Sequence, residues 1–298
     1  MTPFAWVSAV AAAALVVGLA AVWRWRRLVA RRFEDSDAAR RPRNAQGVVI
    51  GAEEVRLPGT NGAAVLLLHG FNDTPQSVRY LATRLNAAGY TVLAPRLPGH
   101  GCALPELARS ARASAWRAAV QSAYTSLHLD HTAVFVCGQS MGGALATLLA
   151  AAHSEMPALV LLAPFIGIEP ALAWKFRLAL LSPAPYHRSP GGERSIHDAE
   201  ARRAALGPGI VTARALNALR VVAEGAKSAL GQVRVPTLWV QSVHDNRVSA
   251  AFGQEHFQAI AATDKEQLWL SGSGHIISAD FERELVADRV IGWFDAHR

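Results

Sequence analysis

Cysteine is scarce in this sequence: its 298 residues include only two, Cys102 and Cys137. Two cysteines cannot form the disulfide framework with which small secreted domains replace a large hydrophobic core. Cys137 lies in an apolar run that is typical of a buried strand, and Cys102 lies in a predicted loop. The sequence therefore predicts two reduced thiols in a reducing compartment.

Motifs for metals and nucleotide phosphates are also missing. The sequence has no H-E-x-x-H pair, no clustered Cys/His spacing and no G-x-x-x-x-G-K-[ST] loop. These patterns hold zinc or cradle phosphates in the protein classes that use them. The sequence therefore predicts neither a metal site nor a cofactor.

Positive charge is concentrated in one short segment. The formal net charge is +7, and residues 24–43 hold eight arginines against three acidic residues, a net of +5. The remaining residues carry only +2, which is ordinary for a globular domain. The charge therefore does not indicate a nucleic-acid partner.

Charged residues are absent from residues 4–23, FAWVSAVAAAALVVGLAAVW. Twenty helical residues span about 30 Å, the thickness of the bilayer's hydrocarbon core. A cleaved signal peptide carries positive charge before its apolar run, whereas these arginines follow it, and they also argue against a buried core helix. We predict an N-terminal transmembrane helix that, with its basic flank, occupies residues 1–33. The positive-inside rule then predicts a single-pass protein whose following domain is cytoplasmic.

The rest of the chain divides into a linker and a large domain. Residues 34–46 are polar and are predicted to form the linker. In residues 47–298, strand-like runs alternate with helix-like runs, which predicts an α/β fold: a mainly parallel sheet with helices on both faces. Right-handed crossovers place functional loops at the carboxyl ends of such strands. The alternation stops at residues 166–232, which we predict to be a helical insertion over that edge.

The insertion is rich in apolar side chains. They either pack the insertion onto the sheet or line a substrate pocket, and the sequence leaves both interpretations open. The residues concerned are Ala171, Leu172, Trp174, Phe176, Leu178, Leu180 and Leu181.

A lone serine stands in a G-x-S-x-G pattern, GQSMG at residues 138–142. The pattern lies where an apolar strand-like run ends and a small-residue helical run begins. This context is typical of a nucleophile elbow, in which a tight turn raises the serine hydroxyl above the sheet. A serine that merely caps a helix would not need glycines on both sides. We therefore predict that Ser140 is a catalytic nucleophile.

A serine nucleophile needs a base, and histidine is the usual one. His275 follows the last predicted strand in the glycine-rich stretch SGSGHII, which can carry an imidazole to the edge where Ser140 lies. His69 ends a strand and is better placed to orient a loop. His100, in PGHG, is predicted to be structural or to orient a loop. His275 is therefore the predicted base.

A carboxylate should hold that imidazole in the correct tautomer. Asp245 ends the strand-like run TLWVQSVHD and keeps the chain order serine, aspartate, histidine. Asp73 would break this order, and Asp264 precedes a strand at the wrong edge of the sheet. Asp280 and Asp288 lie beside or within the last helix. We therefore predict that Asp245 is the third catalytic residue, after Ser140 and His275.

The oxyanion formed by attack on a carbonyl group needs two hydrogen-bond donors. In a nucleophile elbow, one donor is the backbone N–H of the residue after the serine, here Met141. The other comes from the loop after an earlier strand. In the loop after LLLHG, the predicted donor is the backbone N–H of Phe71.

Five stretches together resemble the α/β-hydrolase superfamily: LLLHGF, GYTVLAPRLPGHG, GQSMGG, QSVHD and SGSGHIISAD. The resemblance covers about residues 47–298 and is strongest to bacterial carboxylesterases and monoacylglycerol lipases. Those enzymes carry a small helical cap at the place of the insertion. The resemblance implies hydrolysis of carboxylic esters through an acyl-enzyme on Ser140, with His275 and Asp245 completing a triad. The family is generally soluble, so the N-terminal helix is a departure, and it favours lipid-derived esters.

Other functions use the same residues. Acyltransferases, peroxidases and peptidases place the same triad on this fold. Haloalkane dehalogenases and epoxide hydrolases usually have aspartate at the elbow, so Ser140 argues against both. A membrane-tethered, non-catalytic binding protein on a hydrolase scaffold is a different class, and the complete triad argues against it. The sequence predicts a small-molecule ester substrate and leaves the acyl length, the alcohol and the oligomeric state open.

Overall fold

The structure is a computed structural model that describes residues 3–189 and 192–298. Residues 1, 2, 190 and 191 belong to the predicted anchor and the predicted insertion, and they lie outside the described residues. The strands in the described ranges are β1 (Val55–Leu57), β2 (Ala64–Leu68), β3 (Thr91–Ala94), β4 (Val134–Gln139), β5 (Leu159–Leu162), β6 (His187–Arg188), β7 (Ile210–Val211), β8 (Thr237–Ser242) and β9 (Lys265–Leu270).

One sheet contains seven of these strands in the order β1-β3-β2-β4-β5-β8-β9. Strand β1 pairs antiparallel with β3, and every other pair in this sheet is parallel. The carboxyl ends of the parallel strands therefore meet at one edge, as the alternation predicts. The helices are α1 (Pro3–Arg40), α2 (Arg79–Ala87), α3 (Leu104–Ser110), α4 (Ala113–Leu127), α5 (Met141–Ala152), α6 (Pro170–Leu181), α7 (Ala199–Ala204), α8 (Ala213–Ala229), α9 (Ala250–Ala259) and α10 (Arg283–Ala296).

Apolar side chains cover both faces of the sheet. Along β2, Leu66 and Leu68 join the core cluster that includes α4, α5 and α8. The alternate residues Val65 and Leu67 join a second cluster with α2 and α10. Strand side chains alternate between faces, so a strand buried on both faces must be apolar throughout. This explains the uniform run AVLLL and confirms the α/β prediction.

The predicted insertion lies between β5 and β8. It contains helices α6, α7 and α8 and the short antiparallel pair of β6 and β7. Helix α8 packs against α5, the helix that follows the predicted nucleophile, and α6 packs against α8. The insertion is therefore attached to the same side of the sheet as the elbow helix.

Helix α1 begins with the apolar run and is long and apolar enough to cross a membrane. Its described side chains between residues 6 and 28 are exposed. From Ala30 onward its environment changes, because Ala30 and Phe33 pack against the hydrophobic core. The tyrosine hydroxyl of Tyr186, in the insertion, donates to Glu34 Oε1 at 2.8 Å.

The structure differs from the predicted linker at residues 34–40, which continue helix α1. The side chain of Asp37 is fully buried, accepts from Arg41 Nε at 2.8 Å and forms an ion pair with Arg43. Arg41 also donates to the carbonyl oxygen of Leu206 in the insertion at 3.1 Å. This segment is polar because its charged side chains form ion pairs and hydrogen bonds with one another and with the folded domain. Composition alone does not distinguish such a segment from a linker.

We predict that Asp37→Asn strongly destabilises the protein. The substitution leaves the buried Arg41 and the half-buried Arg43 without their carboxylate, and breaking a buried ion pair costs about 3–5 kcal/mol. Unfolding of the full-length protein in detergent measures the effect, with the exposed Asp35→Asn as the matched control. Equal stability of the two variants would contradict the docking of this segment.

Candidate active site

Ser140 lies at the joint between β4 and α5 with backbone angles φ 56° and ψ −116°. This left-handed region is strained for any residue with a Cβ and costs about 1–3 kcal/mol. Although Ser140 precedes α5, its side chain makes no capping hydrogen bond. The N-cap interpretation is therefore wrong, and the hydroxyl is free for another partner.

The glycines on either side of Ser140 are required because the neighbouring backbone leaves no room for a side chain. A Cβ on Gly142 would overlap the carbonyl oxygen of Leu68, and a Cβ on Gly138 would overlap that of Gly142. The turn thus brings α5 against the end of β2 more closely than a side chain permits. The backbone N–H of Ser140 donates to Leu162 O at 2.9 Å, which ties the turn to β5.

The structure brings the three predicted triad residues together. Ser140 Oγ lies 2.8 Å from His275 Nε2. On the other side of the ring, His275 Nδ1 lies 2.9 Å from Asp245 Oδ1 and 2.8 Å from Oδ2. The imidazole is 6% exposed and the Asp245 side chain is fully buried. The Asp245 carboxylate accepts a hydrogen bond from Nδ1–H, so Nε2 is left to accept the proton of the serine hydroxyl.

Backbone groups and a buried amide hold this arrangement. Asp245 Oδ1 accepts from the backbone N–H groups of Arg247 at 2.7 Å and Val248 at 3.0 Å. Gln139, the residue before Ser140, donates from Nε2 to the carbonyl oxygen of His275 at 2.9 Å. Our sequence reasoning did not identify Gln139, although a buried polar residue at the end of an apolar strand is a usable signal.

Asp280, a predicted rival for the acid, orders the histidine loop instead. Its buried carboxylate accepts from the backbone N–H of Gly274 at 2.7 Å. It also accepts from the insertion, from the N–H groups of His197 and Asp198, both at 2.8 Å. One carboxylate therefore joins the loop that carries His275 to the insertion above it.

The three other aspartates considered as the acid make no hydrogen bond to His275. Asp264 bonds to His297 Nε2 at 2.9 Å, and Asp288 pairs with Arg84 at 2.6 Å. Asp73 is buried after the loop that follows β2, and burial raises its pKa to about 6. None of the three accepts from the imidazole that faces Ser140.

The two predicted oxyanion donors are available. The N–H groups of Phe71 and Met141 donate no hydrogen bond within the described residues, and the first N–H groups of a helix have no partner inside it. A Cβ on Gly70 would lie 3.2 Å from Ser140 Cβ and 3.8 Å from Oγ, so the loop backbone passes beside the Ser140 side chain. The absence of a side chain at Gly70 leaves that approach open.

His69 orients this loop, as its place at a strand end predicts. Its Nε2 accepts from the backbone N–H of Leu97 at 3.1 Å, so the proton is on Nδ1, which donates to Gly70 O at 2.9 Å. Burial lowers the pKa of His69 well below its ordinary value, with His100 adding to the shift. The neutral ring therefore keeps this tautomer and holds the loop that carries the Phe71 N–H.

His100 packs behind the same loop. Its ring centroid lies 5.1 Å from that of His69, 6.1 Å from that of Phe71 and 5.5 Å from that of Trp116. Nδ1 donates to Pro98 O at 3.3 Å, and burial lowers the pKa of the ring to about 4. His100 is therefore a neutral packing residue at ordinary pH.

The described residues contain no cluster of three or more histidine, cysteine, aspartate or glutamate side chains that could hold a metal ion. The site consists of an elbow serine, an imidazole and a carboxylate at the carboxyl edge of a mostly parallel sheet. It can move a proton from Ser140 to His275 while Asp245 stabilises the resulting imidazolium. Fold and site define the class: an α/β-hydrolase with the arrangement of a serine hydrolase.

Comparisons with known proteins identify the family. The family model described as serine aminopeptidase, S33 (Hydrolase_4), matches residues 59–282. A thermostable monoacylglycerol lipase of Bacillus sp. (strain H-257) is 33% identical over 84% of this chain and 97% of its own. A carboxylesterase of Bacillus subtilis (strain 168) is 28% identical over 75% of this chain and 88% of its own.

A solved structure from work on LipS and LipT, two metagenome-derived lipolytic enzymes, has a TM-score of 0.76. It is 32% identical and covers 84% of this chain and 100% of its own. The chain belongs to the Hydrolase_4 (S33) family of α/β-hydrolases, and it is an enzyme of the carboxylesterase and monoacylglycerol lipase type. The resemblance predicted from the five sequence stretches is confirmed.

We predict that acid weakens the fold through His100. Its pKa is lowered from 6.5 in the unfolded chain to about 4 in the folded one. The unfolded chain therefore binds the proton first, and stability present above pH 6.5 is lost as the pH falls toward 4. Across that pH window, His100 lowers the free energy of unfolding by about 3 kcal/mol.

Unfolding at a series of pH values tests this prediction. His100→Gln should reduce the loss of unfolding free energy between pH 6.5 and 4 without abolishing it, because burial also lowers the pKa of His69. His128→Gln, at an exposed position just after α4, is the matched control. Identical slopes for His100→Gln and wild type would contradict the prediction.

Proposed function

We propose that this enzyme hydrolyses lipid-derived carboxylic monoesters, such as monoacylglycerols, through an acyl-enzyme intermediate on Ser140. The observation that carries the proposal is the hydrogen-bonded chain from Ser140 Oγ through His275 to the buried Asp245. The names of the relatives, a monoacylglycerol lipase and a carboxylesterase, support the substrate class.

In the first half-reaction, Ser140 Oγ attacks the ester carbonyl carbon while His275 Nε2 takes the hydroxyl proton. Asp245 holds Nδ1–H and stabilises the imidazolium that forms. The carbonyl oxygen becomes an oxyanion, which the N–H groups of Phe71 and Met141 stabilise; one such donor is worth about 3 kcal/mol. His275 then returns the proton to the leaving alcohol, and the acyl group stays on Ser140.

In the second half-reaction, the same groups act on water. His275 Nε2 takes a proton from a water molecule, whose oxygen attacks the acyl carbon. The oxyanion forms again at the same donors, and its collapse releases the carboxylic acid as His275 returns the proton to Ser140 Oγ. Apart from the ester and the water molecule, both half-reactions use only groups of this chain.

We predict that Ser140→Ala abolishes ester hydrolysis while the fold is kept. Loss of the nucleophile of a serine hydrolase triad costs on the order of a million-fold in kcat. Hydrolysis of a short p-nitrophenyl ester measures the loss, and Ser154→Ala, an exposed serine after α5, is the matched control. Retention of about a tenth of wild-type activity would exclude this mechanism.

Half-buried apolar side chains in the loop after β2 and in the insertion support a substrate with an acyl chain. Phe71, Ile168 and Phe176 are half-buried and pack against the core cluster that contains Met141. Each buried methylene contributes about 0.8 kcal/mol, so four extra carbons would contribute about 3 kcal/mol before chain ordering is subtracted. By contrast, Trp174 points outward, and we do not place it in the acyl site.

We predict that kcat/KM for dissolved esters rises by about tenfold or more from acetyl to medium-chain acyl groups, since part of that burial reaches the transition state. Phe176→Ala should weaken the rise, whereas Phe281→Ala, the same change at an exposed site, should not. A profile that is flat in the wild type would reject the acyl site. If Phe176→Ala left the dependence of kcat/KM on acyl chain length unchanged, Phe176 would not belong to the acyl site.

Helix α1 supports a membrane location for this activity. Its exposed apolar run is followed by arginines, which the positive-inside rule places on the cytoplasmic side. In this proposal α1 is a single-pass anchor, and the hydrolase domain is cytoplasmic and close to lipid-derived substrate.

We predict that the full-length protein resists extraction from membranes by alkaline carbonate and that deletion of residues 1–25 makes it extractable. The deletion removes the apolar run but keeps Phe33 and Asp37, which belong to the folded domain. Activity on a short dissolved ester is the control for folding. Extraction of the full-length protein, or membrane retention of the shortened one, would exclude the anchor.

The family model's description favours a second activity, that of an aminopeptidase. The same Ser140 acyl-enzyme would form from a peptide with a free N-terminus. Parallel assays with a monoacylglycerol and with amino-acid p-nitroanilides decide between the two, and faster turnover of the anilides would replace the esterase proposal.

A further inference from the structure

One segment of the insertion lies directly against the loop that carries His275. The backbone N–H of Ile276, the residue after His275, donates to the carbonyl oxygen of Ser195 at 2.8 Å. On the other side of His275 in the chain, a Cβ on Gly274 would lie 2.8 Å from the carbonyl oxygens of both Arg194 and Ser195. The glycine before His275 therefore leaves room for the Ser195 backbone, which contacts both chain neighbours of His275.

The side chain of Ser195 bonds to a different loop, residues 243–249, which follows β8 and carries Asp245. The Ser195 hydroxyl donates to Asn246 Oδ1 and accepts from Arg247 Nε, both at 3.1 Å. Asn246 and Arg247 directly follow Asp245, and the backbone N–H of Arg247 donates to Asp245 Oδ1 at 2.7 Å. One residue of the insertion therefore joins the loop of the proposed acid to the loop of the proposed base.

Ser195 is part of the protein interior. The residue is 4% exposed, and its backbone N–H donates to the carbonyl oxygen of Gly192 at 3.1 Å. Its N–H, carbonyl and hydroxyl groups all take part in hydrogen bonds, as burial requires. Because a buried polar group that loses its partner is not compensated by water, these bonds resist displacement and hold the two loops at a fixed separation.

A second tie between the two loops comes from outside the insertion. The hydroxyl of Ser242, the last residue of β8, donates to the carbonyl oxygen of Ser273. In the chain, that bond precedes Asp245 by three residues and His275 by two, whereas the bonds of Ser195 are made to residues that follow Asp245 and His275. Each loop is therefore tied on both sides of its functional residue, and the insertion supplies the second tie.

The bond to Arg247 also fixes a charge near the acid. Burial lowers the pKa of Arg247, and the nearby Asp245 carboxylate opposes that shift. An arginine side chain stays protonated at ordinary pH, and a cation near a carboxylate favours its ionised form. By accepting from Nε, Ser195 determines where this positive charge lies relative to Asp245.

We propose that Ser195 is a positioning residue for Asp245 and His275. It fixes the separation of their loops and thereby the hydrogen bond between the carboxylate and the imidazole. The proposal rests on the roles in ester hydrolysis proposed above for these two residues. It gives the insertion a part in aligning the base, and alignment is demanding: a misplacement of about 1 Å can lower a rate on the order of a hundredfold.

Ser195→Ala tests the proposal in the full-length protein in detergent. The change removes the hydroxyl and keeps the carbonyl group to which Ile276 donates. We expect kcat for a dissolved p-nitrophenyl ester to fall about tenfold, with KM changed less than about twofold, because the base is misaligned while the acyl site is not. Ser228→Ala, at an exposed serine of the same insertion, is the matched control and should keep wild-type kcat.

The proton on His275 Nδ1 gives a readout that does not depend on turnover. A proton held between an imidazole and a buried carboxylate resonates at low field in the proton NMR spectrum and is protected from exchange with water. We expect this resonance to broaden or disappear in Ser195→Ala and to stay sharp in Ser228→Ala. A loss of stability alone would not change it at temperatures where both variants are folded.

Arg247→Met tests whether the hydroxyl acts through the loop of Asp245. The change removes the guanidinium and keeps the backbone N–H that donates to Asp245. We expect a lower kcat, and in the double variant with Ser195→Ala a loss smaller than the product of the two single losses, because residues that act through one another are not additive. A loss equal to that product would overturn the proposal. If Ser195→Ala does not fold, wild-type kcat and a sharp resonance in Arg247→Met would overturn it as well.

The remaining outcomes are distinct. Wild-type kcat and a sharp resonance in folded Ser195→Ala would overturn the positioning role and leave the Ser140 mechanism standing. A raised KM at unchanged kcat would place Ser195 in substrate binding and would also overturn it. Absence of ester hydrolysis in the wild type itself would reject the proposed function, and this inference with it.

Discussion

The left-handed backbone of Ser140 is the constraint on which the rest of the site depends. At φ 56° the turn between β4 and α5 is strained, and it persists because neighbouring strands hold it from both sides. The N–H of Ser140 bonds to Leu162 on β5, and Gly142 fits against the end of β2 only because it has no side chain. This packing raises the hydroxyl above the sheet edge, where His275 and Asp245 also arrive. In the proposed mechanism, the strain keeps the nucleophile away from a capping role and leaves the N–H of Met141 free.

The loops around Ser140 are fixed by buried polar groups rather than by apolar packing alone. His69 holds the Phe71 loop through its tautomer, and Asp280 holds the His275 loop together with the insertion. Each such group must satisfy its hydrogen bonds inside the protein, because an unpaired buried polar group is costly. The segment around Asp37 applies the same principle at the base of α1, where a buried carboxylate joins the N-terminal helix to the insertion through Arg41. The N-terminal helix, the insertion and the loops around Ser140 are therefore linked by short polar contacts.

Sequence reasoning succeeded where local pattern determines structure. The strand–turn–helix around Ser140, and the strand ends that carry Asp245 and His275, follow from apolar runs and glycines, so these three residues could be expected at one sheet edge. The sequence pattern did not reveal hydrogen-bond partners that are distant in the chain. The bond from Asp280 to His197 and that from Arg41 to Leu206 join residues separated by more than eighty positions. Nothing in composition distinguishes such groups from solvated ones, so Asp280 was predicted only as a rival acid and residues 34–40 as part of a linker. Likewise, the apolar residues of α6 face both the core and the solvent, and the helix pattern alone did not separate Phe176 from Trp174.

We propose that Ser140 is the nucleophile of this enzyme, and covalent trapping tests this proposal most directly. The full-length protein is treated with a fluorophosphonate, and the adduct is located by peptide mass spectrometry. We expect a single adduct on Ser140, formed in step with the loss of esterase activity and slowed by an excess of medium-chain ester, which competes for the site. An adduct on a different residue, or full inactivation while Ser140 stays unmodified, would contradict it.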